Sequence, residues 1–197
     1  MGKTRGFTLV ELAIVLVIIG IILGAILKGQ ELINNAKVKR LQNDLRGLEA
    51  AIWTFYDRTG RFPGDCDRNG TIDYTLTGTA PTLDTSTTPP GSFCNGTGDQ
   101  NSPFNDLRYT RILSPGAANA DLAKHPFNGI FAIGNNGTPG YNAIAIYNVP
   151  TWAAKMIDLS IDGSENGTAG RIRNIANTDW STDQDQAVNI IYLFDRM

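Results

Sequence analysis

A run of sixteen residues without a charge, Leu12 to Leu27, most constrains what this chain can fold into. Counted from Phe7 the apolar stretch reaches twenty-one residues, interrupted only by Thr8 and Glu11. At about 1.5 Å per helical residue, that length matches the roughly 30 Å hydrocarbon core of a bilayer. Lys3 and Arg5 precede the run, so the positive-inside rule keeps the N-terminus in the cytoplasm. Everything after Lys28 is then expected on the far side of the membrane. A removable secretory signal would carry an apolar region of about 7–15 residues and a small-x-small cleavage site. This run is longer, and Ile26-Leu27-Lys28-Gly29-Gln30-Glu31-Leu32-Ile33 offers no such site.

The helical pattern also continues past the membrane run. Val38, Leu41, Leu45, Leu48, Ile52 and Phe55 recur at spacings of three and four, an apolar stripe on one helix face. Thr59-Gly60 followed by Pro63 supplies a stop. The spacing predicts a single helix from Phe7 to Thr59, roughly 80 Å long. Glu11 is the anomaly within it, because a carboxylate inside a span is costly and marks a functional position.

The string Gly6-Phe7-Thr8-Leu9-Val10-Glu11-Leu12, after a short basic leader, resembles the class III signal of type IV pilins and type II secretion pseudopilins. The resemblance covers residues 1 to about 30 closely and the extended helix in pattern. It implies cleavage between Gly6 and Phe7 by a prepilin peptidase and N-methylation of Phe7. It also implies a helix that serves first as membrane anchor and later as filament core. A neighbouring subunit's Phe7 amine would then neutralise Glu11 in the low-dielectric interior and reward one axial register. The resemblance further implies, through the presence of Glu11, a subunit that docks beneath others rather than a tip subunit. The organisation expected is a leader (1–6), a transmembrane and filament-core helix (7–28), an amphipathic continuation (29–59) and a periplasmic headpiece (60–197).

The headpiece has a different composition. All nine Pro and most of the Gly lie after residue 59, and residues 75–92 read as an exposed Thr/Pro/Ser-rich loop. Ile130 to Ile133 reads as a strand, Asn135-Asn136-Gly137 as a turn, and Ala143 to Val149 as the return strand. Thr151 to Leu159 reads as a short helix and Ala187 to Phe194 as a buried strand. The fold class expected is α+β: a long N-terminal helix with a small antiparallel sheet packed on its outer half through Leu41, Leu45, Leu48, Ile52 and Phe55.

Asp65, Asp67, Asn69, Thr71 and Asp73 carry oxygens at the spacing that opens an EF-hand-type loop, with Gly70 at the sharp turn. They are the candidate Ca²⁺ ligands. The twelfth position is Leu76, so a further carboxylate would have to come from elsewhere, with Asp84, Asp99 or Asp106 as candidates. Asp and Asn also favour turns that bind no metal. The resemblance implies headpiece calcium in type II pseudopilins, at a site nearer the C-terminus. Cys66 and Cys94 lie beyond the membrane in this topology, where an oxidising compartment favours a disulfide closing a loop of about 28 residues. The segment Ile157 to Gly163, with Gly170-Arg171-Ile172-Arg173, reads as a helix ending in an acidic turn followed by a surface loop. Four Asn-Gly-Thr triplets, at Asn69, Asn95, Asn136 and Asn166, read as turns rather than glycan sites in a bacterial protein.

Seventeen Lys and Arg against nineteen Asp and Glu leave a net charge of −2, which argues against a nucleic-acid coat. Lys37, Lys39, Arg40 and Arg46 read as a solvated or inter-subunit face. One His and two Cys exclude His-rich metal catalysis, a zinc ribbon and a dense disulfide scaffold. His125 has no partner set for a nucleophile or a metal, and no catalytic arrangement stands out. The expectation is a non-enzymatic subunit of a pilus-like filament, first a type II secretion pseudopilin that drives protein export. The alternatives are a type IV pilus pilin for adhesion, motility or DNA uptake, and a membrane-anchored periplasmic binding domain that never polymerises. The implied partners are other pilins in a homo-oligomeric or mixed filament, the prepilin peptidase, and an inner-membrane platform with its ATPase.

Overall fold

The computed structural model describes residues 6, 8–94, 96–137 and 140–195. Its first element is α1 (Leu9–Thr59), 51 residues long. The chain forms two compact units, residues 1–39 and 40–197. In the first, the side chains from Leu12 to Leu27 are exposed on every face of the helix. A helix that is apolar all round is built to be surrounded by apolar material, lipid or other helices. Among the described residues, α1 is long and apolar enough to cross a membrane.

In the second unit the outer part of α1 buries Leu41, Leu45, Leu48, Ile52 and Phe55, the stripe expected from the three- and four-residue spacing. The helix ends where the Gly60 N–H donates to the Tyr56 carbonyl at 2.8 Å, with Gly60 in the left-handed region at φ +72°. The remaining elements are α2 (Ser102–Tyr109), α3 (Asn119–Leu122), β1 (Phe131–Asn135), β2 (Asn142–Pro150), α4 (Thr151–Asp162), β3 (Ile172–Asn174) and β4 (Ala187–Leu193).

The four strands form one antiparallel sheet in the order β1-β2-β4-β3. β2 is central and buried on both faces, which is why its sequence runs as near-continuous apolar residues rather than alternating. Ile144 pairs with Tyr192 and Ile146 with Ile190. Tyr192 donates its hydroxyl to Glu49 at 2.9 Å, so this face meets α1. The opposite face gathers Ala132, Ala143, Ala145, Tyr147, Ile191 and Leu193 beneath Leu76. The chain at Tyr74–Leu76 lies along the edge of β1, with the Leu76 N–H donating to the Asn135 carbonyl at 2.8 Å. Gly134 permits that approach: a Cβ there would stand 2.4 Å from the Tyr74 carbonyl oxygen.

Several boundaries differ from expectation. β1 begins one residue later than Ile130 and runs on through Asn135, because that edge is extended by pairing with Tyr74–Leu76. α4 continues to Asp162, where Gly163 at φ +76° ends it. The segment expected as a surface loop at Gly170 to Arg173 contains β3, an edge strand pairing Ile172 with Tyr192. α2 and α3 were not anticipated.

Residues 77–92 contain no named helix or strand, as expected of a loop, yet they are fastened. The side chain of Arg108 is fully buried. Its Nη2 donates to the carbonyls of Ser86, Thr88 and Pro115 at 3.3, 2.9 and 3.0 Å, and its Nη1 to Asn119 Oδ1 at 3.0 Å.

Candidate functional site

The start of α1 is fixed by two side chains. The Thr8 N–H and hydroxyl both donate to Glu11 Oε2 at 2.8 Å, and the Glu11 N–H donates back to Thr8 Oγ1 at 3.2 Å. This reciprocal pair is a capping box, and it starts the helix at Leu9 rather than at Phe7. The Thr-x-x-Glu spacing was present in the sequence as a signal, but Glu11 was expected only as an assembly residue. The carboxylate thus has a local role in the single chain, satisfying an amide at the helix entry. Gly6 is exposed, while Phe7, with Lys3 and Arg5, lies outside the described residues.

The second candidate is the acidic turn after α1. Asp65, Asp67 and Asp73 each bring a carboxylate oxygen within 4.8 Å of the others. Asp65 is buried, Asp73 half-buried and Asp67 exposed, so the group opens to one side. Asp65 accepts the N–H groups of Asn69 and Gly70 at 3.1 and 3.0 Å. Asp73 Oδ2 accepts the Cys66 N–H at 3.1 Å, and Asn69 Oδ1 accepts the Thr71 N–H at 2.7 Å. A cavity lined by Asp67, Asn69, Thr71 and Asp73 opens beside them, with a volume of about 470 Å³. Burial pushes the Asp65 and Asp73 carboxyls above the ordinary range, and the negative charge of Asp67 pushes both the same way.

The residues suggested to complete a calcium shell are placed elsewhere. Asp106 is fully buried against Arg61 Nη1 at 2.9 Å and accepts the N–H groups of Gly64 and Cys94, each at 3.0 Å. Asp84 Oδ1 accepts the Ser86 N–H at 2.8 Å, and Asp99 Oδ1 the Asn101 N–H at 2.9 Å. None of the three joins the group formed by Asp65, Asp67 and Asp73.

The Cys66–Cys94 disulfide is formed, with Cα atoms 5.4 Å apart across 28 residues. Around it lies a buried node that the sequence reading missed. Arg61 Nη1 also donates to the carbonyls of Phe62 and Asp65 at 3.2 and 3.0 Å, and the guanidinium sits 5.2 and 5.3 Å from the rings of Phe55 and Phe93. Arg61 and Asp106 therefore tie together the end of α1, the acidic turn, the disulfide and α2. No periodicity marks such a pair, since the partners are 45 residues apart and lie on different elements.

His125 is buried, with Nε2 2.8 Å from the Tyr147 carbonyl. Its environment is that of a packed core histidine, stacked edge-on to Phe131 at 5.4 Å. Arg40 lies 3.8 Å from Asp44 on the same helix face, and Lys37, Lys39 and Arg46 are exposed.

Residues 1–27 match the family model described as the prokaryotic N-terminal methylation motif. Among solved structures, the chain is similar to the major type IV pilin PilA1 of Clostridium difficile at 12% identity, covering 82% of this chain and 96% of that one with a TM-score of 0.43. No curated protein matches. Residues 1–27 thus carry the prokaryotic N-terminal methylation motif.

Proposed function

We propose that the chain is a structural subunit of a pilus-like filament and, within that class, a type II secretion pseudopilin. The observation that carries the filament reading is the outward-facing apolar surface of α1 up to Leu27, in the same segment as the methylation motif. Lipid covers that surface before assembly, and like helices of neighbouring subunits cover it afterwards. Cleavage after Gly6 frees the Phe7 amine, which is then methylated. A neighbour's amine pairs with Glu11, whose carboxylate Thr8 has already oriented. Burying that carboxylate unpaired would be costly, so subunits settle in the register that pairs it. The headpiece lies in the periplasm of a bacterial cell, and an ATP-driven inner-membrane platform adds the subunits.

The acidic turn is the feature that bears on the secretion version, although the calcium that the resemblance implies there lies nearer the C-terminus. Three carboxylates this close call for a counter-charge, and the pseudopilin resemblance implies calcium in the head. In this reading Asp65, Asp67 and Asp73, the Asn69 side-chain oxygen Oδ1 and the Thr71 carbonyl hold Ca²⁺, whose role is to pin the turn, and Asn69 Nδ2 is not a ligand. Deleting the gene and scoring both exoproteins in the medium and filaments at the cell surface tests the assignment. Loss of secretion is expected. Loss of filaments alone moves the chain to the surface pilus, and loss of neither returns it to a non-polymerising anchored domain.

A further inference from the structure

We propose that Asn69 and Asn166 are acceptor sites for an N-linked glycan, transferred from a prenyl-diphosphate-linked sugar. The inference rests on the headpiece lying outside the cytoplasm, as in the reading above. Five Asn-Gly pairs occur in the chain, at Asn69, Asn95, Asn128, Asn136 and Asn166, and Thr follows four of them. Thr accounts for 19 of 197 residues, so chance would place it after fewer than one of the five. Turn formation explains the Asn and the Gly. At Asn166 the Thr168 hydroxyl itself helps to close the turn, whereas at Asn69 it is the Thr71 N–H that reaches the Asn side chain, so the turn asks nothing of the Thr71 hydroxyl. Asn-x-Thr is the acceptor triplet for N-linked sugar and belongs on exposed loops.

The structure separates the triplets. At Asn166 the side chain is exposed, and Oδ1 accepts both the N–H and the hydroxyl of Thr168, at 2.9 and 2.8 Å. The amide is planar, so with Oδ1 turned into the loop, Nδ2 is directed away from it. The Asn166 backbone N–H donates to Asp158 Oδ2 at 2.7 Å, and the same oxygen accepts Trp180 Nε1 at 2.8 Å. The triplet is thus presented from a buried anchor. Gly167 is required by packing, because a Cβ there would stand 2.6 Å from the Thr178 carbonyl oxygen. Packing accounts for the glycine and leaves the Thr168 hydroxyl serving only the Asn166 side chain.

Asn69 is also exposed, with Oδ1 accepting the Thr71 N–H at 2.7 Å and Nδ2 donating to Asp67 Oδ2 at 2.8 Å. Asn136 is a hairpin residue instead: it is half-buried, and its Oδ1 accepts the Tyr141 N–H at 2.8 Å. Asn95 and Thr138 lie outside the described residues. Asn128, the pair without Thr, sits at φ +61° and is a plain turn.

In the transfer, a bond forms between Asn Nδ2 and the sugar C1 while the C1–O bond to the diphosphate breaks. The prenyl diphosphate leaves with that electron pair and takes up the one proton that Nδ2 gives up. At Asn69 the Asp67 carboxylate already accepts a hydrogen bond from that nitrogen.

Intact-mass and peptide-mapping spectrometry of the full chain, isolated from the cells that make it, tests the assignment. Sugar-mass additions are expected on the peptides holding Asn69 and Asn166. Asn69→Gln and Asn166→Gln should each remove one addition. Thr168→Val should remove the addition at Asn166, and Thr168→Ser should keep it. A bare Asn at either site, or a deamidated one without sugar, overturns the assignment of that site. The same spectra report the N-terminus and the disulfide. A start at Phe7 with Cys66–Cys94 bridged and both Asn bare defeats the glycan alone. A start at Met1 with both Cys reduced defeats the topology on which it rests.

Discussion

Replacing Asp106 with Ala should be among the most damaging single changes in the headpiece. The substitution removes a fully buried carboxylate and strands three donors: Arg61 Nη1 and the N–H groups of Gly64 and Cys94. The guanidinium stays buried between the Phe55 and Phe93 rings, with only the Phe62 and Asp65 carbonyls to satisfy it. Breaking a buried ion pair from one side costs about 3–5 kcal/mol, because the remaining charge is neither paired nor hydrated. The two orphaned amides would each cost about 1–3 kcal/mol if they were independent. They share one partner, so the losses do not add. The retained carbonyl contacts keep the total near the lower part of the range, about 3–4 kcal/mol. For a domain of this size, that is a drop in Tm of about 6–16 °C. Urea titration of a fragment spanning 29–197 with the disulfide intact, followed by tryptophan fluorescence, measures it. Asp106→Asn should fall between, since one carbonyl oxygen still accepts an amide. Arg61→Met combined with Asp106→Leu should recover much of the loss, because no unpaired charge remains. A cost below about 1 kcal/mol for Asp106→Ala, or a double variant weaker than the single, would refute the reasoning.

Three further outcomes follow from the same structure. Glu11→Gln should leave membrane insertion intact and sharply reduce incorporation into filaments, scored by shearing and immunoblot; normal filament yield would mean the carboxylate is dispensable. Calcium, but not magnesium, should raise the melting temperature of the head fragment, by about 2.7 kcal/mol of stabilisation at a hundredfold excess over Kd. Asp67→Ala should abolish that shift, and identical melts with calcium and chelator would make the loop an Asx-rich turn only. Burial pushes the His125 imidazole below its ordinary value, against the opposing effects of the Tyr147 carbonyl and the Asp44 charge. The unfolded chain therefore takes up the proton first as the pH falls. The contribution is full above about pH 6.5 and is lost as the pH drops through the lower folded value. His125→Gln should flatten the fall in Tm between about pH 7.5 and pH 5.5, and an unchanged pH profile would assign that fall to other groups.

The long helix and its buried stripe were legible because both rest on periodicity, which is local information. The spacing of Leu41, Leu45, Leu48, Ile52 and Phe55 identifies the packed face without any knowledge of what packs against it. β2 and β4 were legible as apolar runs between turn residues. β3 was not, since a three-residue edge strand containing Arg173 and Asn174 has no pattern of its own and is created by its pairing with β4. α2 was hidden for a related reason: its buried positions include Asn105, Asp106 and Arg108, so polarity pointed to a surface while burial was achieved through ion pairing and hydrogen bonds. The pairing of Cys66 with Cys94 could be expected from the compartment and the number of Cys. The Arg61–Asp106 pair could not, because nothing in either residue's neighbourhood names a partner 45 positions away.

Arg108 holds the Ser86–Thr88 stretch of the 77–92 segment by carbonyl oxygens alone, with Pro115 closing the set. Every residue type supplies a carbonyl, so this attachment is blind to the side chains it secures. The path of the segment is therefore constrained while its lettering is free. Substitutions across Thr85 to Pro90 can change what this part of the head displays to its surroundings without altering how it is held. A change at Arg108 would release that stretch, while Leu83 stays buried and the Asp84 N–H and carbonyl stay bonded to Asn101 and Ala120. The molecule thereby separates a stretch of surface that can diversify from the buried residue that secures it.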